Sequence, residues 1–167
     1  MKKSMPAGRQ AFTIVELVIY MGLMSVFLVI MGSVFFSILD LQLESKASSD
    51  VQQDGQFILS RLGYDVRRAT GVTAPASAGQ TDSTLNLTIG GNSFVYAVSN
   101  GDLQLTVGGV SQNLTSFGST ISDFSVTRLQ NTGGLPSLKI GFTLVSQDTN
   151  LKQESEIKSY EETLTLR

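Results

Sequence analysis

The sequence predicts an α+β protein: a long N-terminal α-helix, transmembrane in its first half and amphipathic in its second, packed against a C-terminal antiparallel β-sheet. Three observations carry this expectation. Leu17 to Leu39 is a run of 23 residues without a charge. Apolar residues then recur at steps of three or four as far as Ala69. From Thr84 onward, short runs alternate at period two between glycine-containing turns.

The uncharged run comes first. At about 1.5 Å per residue it crosses a hydrocarbon core of roughly 30 Å, so it reads as one transmembrane span. Lys2, Lys3 and Arg9 precede it, and the first charges after it are Asp40 and Glu44. That asymmetry places the N-terminus in the cytoplasm and the C-terminal domain outside. A secretory signal has a shorter apolar core and a small-residue cleavage site after it, whereas this run continues into polar helix.

Beyond the span, Leu43, Ala47, Val51, Ile58, Leu62, Val66 and Ala69 lie on one helical face. Gly55 falls where another apolar side chain would fit, so the helix is either locally weak or closely packed there. Arg67 and Arg68 suit the last turn, and Gly71 reads as the C-cap, ending the helix near residue 70. From Phe12 this makes roughly 59 residues, about 88 Å if unbroken. Val72 to Ser83 is rich in small residues, Pro and Gly and reads as a loop.

Six strands are expected, at 84–89, 93–98, 103–107, 124–129, 137–145 and 161–167. Gly90-Gly91, Asn100-Gly101, Gly108-Gly109 and Gly133-Gly134 offer the positive backbone φ angles of tight hairpins, Asn100-Gly101 being the strongest signal. Leu138, Ile140, Phe142 and Leu144 share one face of the longest strand, which should be central and should pack on the helix. The polar stretch 146–158 reads as a long exposed loop or frayed hairpin.

The chain contains no cysteine and no histidine. Disulfides, thiol nucleophiles, histidine bases and the usual zinc ligands are therefore excluded, which argues against an enzyme. No cofactor is implied. Asp148 and Asn150, with Glu154 further on, supply oxygen ligands like part of a calcium loop, but the glycine and the fixed spacing are missing. A solvated polar loop is the simpler reading. Arg61, Arg67 and Arg68 could form a basic stripe, yet Asp54 and Asp65 interrupt it and no aromatic stacking platform follows. Salt bridges to partner subunits are the expected use of these arginines.

One residue does not fit a plain membrane helix. Glu16 sits four residues after the apolar run begins at Phe12, and no Lys or Arg lies between Arg9 and Lys46 to pair with it. A carboxylate in hydrocarbon needs a partner, which must come from outside this helix or from a chain end. A headgroup position at the membrane boundary would also make it inexpensive.

Read outward from Met1, the chain has a basic leader, a small residue Ala11, and then "FTIVEL" opening the helix. This resembles the type IV pilin and pseudopilin family, whose signature is a basic leader, a small residue, then Phe-Thr-Leu-Ile-Glu before a hydrophobic helix. The match covers Lys2 to about Leu39. It implies that residues 1–11 are a cytoplasmic leader, that 12–39 form the transmembrane and assembly helix, that 40–70 continue it as amphipathic helix, and that 71–167 form the β domain.

The resemblance further implies that a prepilin peptidase cuts between Ala11 and Phe12 and that the new amine of Phe12 is methylated. Glu16 becomes the fifth mature residue and, with Thr13, belongs to the assembly signature. Its carboxylate would meet the Phe12 amine of a neighbouring subunit, although four positions of separation also allow pairing within one chain. Ala11 departs from the usual glycine. Cutting after Gly8, the nearest glycine, would instead put Thr13 at the fifth mature position.

Without its leader the chain keeps 9 of its 12 Lys and Arg against 14 Asp and Glu, a net charge of −5 that disfavours nucleic-acid binding. The expected partners are other pilin or pseudopilin subunits, the peptidase, the inner-membrane assembly platform and the membrane itself. The stretches "FILSRLGYDVRRATG", "GDLQLTVGGVSQNLTSFGSTISDFSVTRL" and "ETLTLR" resemble, more loosely, minor subunits of the J type in type II secretion and the W type in pili. The alternative is a plain signal-anchored extracytoplasmic binding domain that does not assemble.

Overall fold

A computed structural model describes residues 12–129, 134–149 and 154–167. One helix, α1 (Ile14–Arg68), is followed among the described residues by β1 (Gly71–Ala74), β2 (Thr81–Asp82), β3 (Thr84–Ile89), β4 (Asn92–Ser99), β5 (Asp102–Val107), β6 (Val110–Asn113), β7 (Ser119–Leu129), β8 (Ser137–Thr149) and β9 (Ser155–Thr165). The chain forms two compact units that divide within α1, Met1–Asp40 and Leu41–Arg167.

In the first unit the large apolar side chains between Phe12 and Ile38 are all exposed. This helix near the N-terminus is long and apolar enough to cross a membrane, and none of its apolar window is covered by protein. Ser25, Ser33 and Ser37 donate their hydroxyls to helix carbonyls three or four residues back, so they add little polarity to the surface.

The second unit is a helix packed on antiparallel sheets. Ala47, Val51, Ile58, Leu62 and Val66 are buried along one stripe of α1, as their spacing requires. Val51, Ile58, Leu62 and Val66 join Leu85, Leu87, Tyr96, Leu103, Phe124, Val126 and the β8 residues Leu138, Ile140, Phe142 and Leu144 in one core. At roughly 1.5–3 kcal/mol per large apolar side chain, this burial is what holds the unit together.

The strands form two sheets rather than the single sheet expected, in the orders β1-β3-β4-β5-β6 and β2-β7-β8-β9. β8 is interior in its sheet, as its four buried alternate residues suggest. Three successive hairpins turn on Gly90-Gly91, Asn100-Gly101 and Gly108-Gly109, each with positive φ at both central residues. That is the backbone twist two-residue hairpins need. The Gly133-Gly134 signal falls partly outside the described residues.

Other expectations need correction. Gly71 is not a C-cap: α1 ends at Arg68, and Gly71 opens β1 opposite Thr88. The stretch 72–83 is not wholly loop, because it contains the rest of β1 and all of β2. Arg128 ties it down, donating from Nη1 to the carbonyls of Val72 (3.3 Å), Pro75 (3.3 Å) and Ala76 (2.9 Å). β6 was not expected. It is short and exposed along its length, so it carries no alternating signal. Of the two alternatives for 146–158 the hairpin holds: among the described residues β8 runs to Thr149 and β9 starts at Ser155, and these two residues pair across an irregular register.

Gly55 is a site of close packing. A Cβ there would fall on the ring of Tyr160, whose hydroxyl donates to the Val51 carbonyl (3.0 Å) and whose ring stacks on Phe142 with centroids 5.2 Å apart. Glycine is the residue that lets β9 approach the helix this closely.

Candidate functional site

Phe12 and Thr13 precede the first turn of α1. The Leu17 amide donates to the Thr13 carbonyl (3.1 Å), which makes Thr13 the N-cap residue. The Glu16 amide donates to Thr13 Oγ1 (3.3 Å), satisfying one of the donors a helix start leaves open. Glu16 is therefore the third helical residue, where a carboxylate also complements the positive end of the helix dipole.

The Glu16 carboxylate is half-buried and accepts a hydrogen bond from the Tyr20 hydroxyl (3.2 Å). Phe12 meets the Tyr20 ring edge to face, with centroids 6.2 Å apart and planes inclined by 73°. Phe12, Glu16 and Tyr20, at spacings of four, thus form one stripe with the acid between two aromatics. Together with Leu17, Met21 and Met24, Phe12 and Tyr20 line a shallow apolar groove.

Two features escape the sequence reading. Thr13 to Glu16 has the Thr-x-x-Glu spacing of a capping box, and that pattern is the signal that finds it. Tyr20 is a neutral partner for Glu16 at i+4, so it gives no charge signal in the sequence. Ala11, the residue before the expected cut, lies outside the described residues.

The remaining candidates separate. Asp148 pairs with Lys46, which raises the lysine's pKa through the hydrogen bond and the charge of Asp148. Asn150 lies outside the described residues. Among the described residues no group of three Asp and Glu comes close enough together to hold a metal.

Asp54 and Asp65 are not surface charges that break up a basic stripe, because both are buried. Asp54 Oδ2 accepts from the Ser116 amide (2.9 Å), Ser116 Oγ (2.7 Å) and Ser119 Oγ (2.5 Å). Asp65 Oδ2 accepts from Tyr96 OH (2.5 Å) and Arg61 Nε (3.0 Å). Burial, reinforced by the bond to Asp65, pushes the Tyr96 phenol well above its ordinary pKa. Arg61 thus has an ion-pair partner within its own chain. Arg68 lies over the Tyr64 ring, 4.7 Å from its centroid.

Comparison with models of known protein families, with characterised proteins and with solved structures finds no match to this chain.

Proposed function

We propose that this chain is a minor pilin or pseudopilin: a structural subunit, not an enzyme, of a type IV pilus, type II secretion pseudopilus or competence filament. Prepilin peptidase cuts between Ala11 and Phe12, the Phe12 amine is methylated, and the subunit assembles through its N-terminal helix. Before assembly it is a single-pass inner-membrane protein with a cytoplasmic N-terminus. The supporting observation is the Phe12-Thr13-x-x-Glu16 signature capping a helix whose apolar side chains are uncovered as far as Ile38.

Those side chains exchange lipid for neighbouring helices at little cost, because both surroundings are apolar. Glu16 then gains a charged partner, the new Phe12 amine of a neighbour, in place of a neutral hydroxyl. A charge-assisted bond is roughly twice as strong as a neutral one, so assembly is rewarded and its register fixed.

A second reading, the plain signal anchor, draws on the local partners of Glu16: a Thr13 cap and a Tyr20 hydroxyl are enough to hold a carboxylate at a membrane boundary. The variant Glu16→Ala separates the two. Loss of the chain from sheared filaments, with membrane levels unchanged, is expected of an assembly residue. Normal incorporation would count against the pairing role of Glu16, and absence of the unaltered chain from filaments would favour the anchor.

A further inference from the structure

We propose that Tyr20 is the positioning residue for Glu16: its hydroxyl holds one oxygen of the carboxylate and leaves the other open to the amine of a neighbouring subunit. The identity of that amine, the matured Phe12, rests on the filament reading; the hold on Glu16 rests on contacts within the first unit. Along α1 as far as Asp40 four residues carry hydroxyls, Tyr20, Ser25, Ser33 and Ser37. The three serines give theirs to backbone carbonyls of the helix, and Tyr20 alone gives its to a side chain, Glu16 Oε1. A phenol in an apolar run costs more than a phenyl unless its hydroxyl is used, and Glu16 supplies that use.

The ring contributes as well. From Phe12 to Met31 every residue is exposed except Glu16, which is half-buried. Side chains on a helix lean toward its N-terminus, so Tyr20 lies back over the turn that carries Glu16. There its ring meets Phe12 edge to face, with centroids 6.2 Å apart, and the two aromatics flank the acid. A carboxylate held this way is already ordered when a neighbour arrives, which removes that part of the entropy cost from assembly.

The bond is also one that yields. At 3.2 Å it is longer than the roughly 2.5–2.7 Å of a strong hydroxyl–carboxylate bond, whereas an ammonium–carboxylate bond closes to about 2.7–2.9 Å. Glu16 Oε2 has no hydrogen-bond partner among the described residues, so an arriving amine finds one oxygen open and the other loosely held. A lysine in place of Tyr20 would neutralise the acid within its own chain, and a phenylalanine would leave it unheld. Tyrosine orients the charge without cancelling it.

Labelling of Glu16 with dicyclohexylcarbodiimide reads this contact in the full-length chain in native membranes, with mass spectrometry locating the adduct. Tyr20→Phe keeps the ring and loses the donor, so Glu16 should label about fivefold faster, the scale of one hydrogen bond. Val18→Ala, on the opposite face of the helix, should label at the native rate. In cells that assemble the filament, Tyr20→Phe should also lower the chain's share in sheared filaments several-fold, with membrane level and maturation at Phe12 unchanged. Labelling of Tyr20→Phe at or below the native rate, or faster labelling with full incorporation, would overturn the positioning role. The filament reading fails separately: absence of the unaltered chain from filaments overturns that reading, and the labelling comparison still decides whether Tyr20 holds Glu16.

Discussion

Before Asp40, large apolar side chains such as Phe27 and Leu28 are more than half exposed; after Leu41, Ile58, Leu62 and Val66 on the same helix are completely buried. The acids differ in the same way. Glu16 has one side-chain partner and a surface open to others, whereas Asp54 takes three hydrogen bonds on one oxygen from within its own fold. The first segment leaves its apolar side chains uncovered by its own chain, and the second is finished by its own contacts. The proposed filament subunit needs both, a head that folds before assembly and a tail whose apolar side chains stay available.

The largest test of this contrast compares truncations on the two stretches of helix. Ile58→Ala should destabilise the second unit by about 3 kcal/mol, since it empties a closed core. Leu28→Ala should leave the same urea transition of the detergent-solubilised protein within about 0.5 kcal/mol. Equal losses would show that residue 28 is also packed within the chain. Next in size, Asp54→Ala should cost about 2 kcal/mol, because three donors lose a buried acceptor. It should also loosen the Phe117 loop, read as faster amide exchange at Ser116 and Ser119.

A smaller effect appears with pH. The Tyr96 phenol is raised in the folded protein, so the native state keeps its proton where the unfolded chain releases it. Its contribution is fully present below the ordinary tyrosine value of 10.0 and is lost as pH rises above it toward the higher folded value. Stability measured from pH 9 to 11 should therefore fall more steeply in the native sequence than in Tyr96→Phe. Parallel curves would mean that Tyr96 is not held neutral by its site.

Most of this architecture was legible in the chain. The uncharged run, the apolar stripe of α1 and three of the hairpins follow from periodicity and from residues that accept positive φ. What was missed had a physical reason. β1, β2 and β6 are too short to show alternation, and the start of β9 is polar because it lies on an exposed part of the sheet. Asp54 and Asp65 look like solvent charges in sequence; only the fold brings Ser116, Ser119 and Tyr96 to them across dozens of residues. At the N-terminus the order was reversed. The Thr-x-x-Glu spacing and Tyr20 at i+4 are local and legible in the sequence, but neither partner carries a charge.

The filament reading depends on an amine that exists only after cleavage. Intact-mass analysis of the chain, purified from membranes of cells with an active prepilin peptidase, tests this directly. The expected product begins at Phe12 and carries one added methyl group, leaving Glu16 as its fifth residue. A chain that retains its leader and still begins at Met1 would contradict the role assigned to Glu16 and leave the plain anchor in its place.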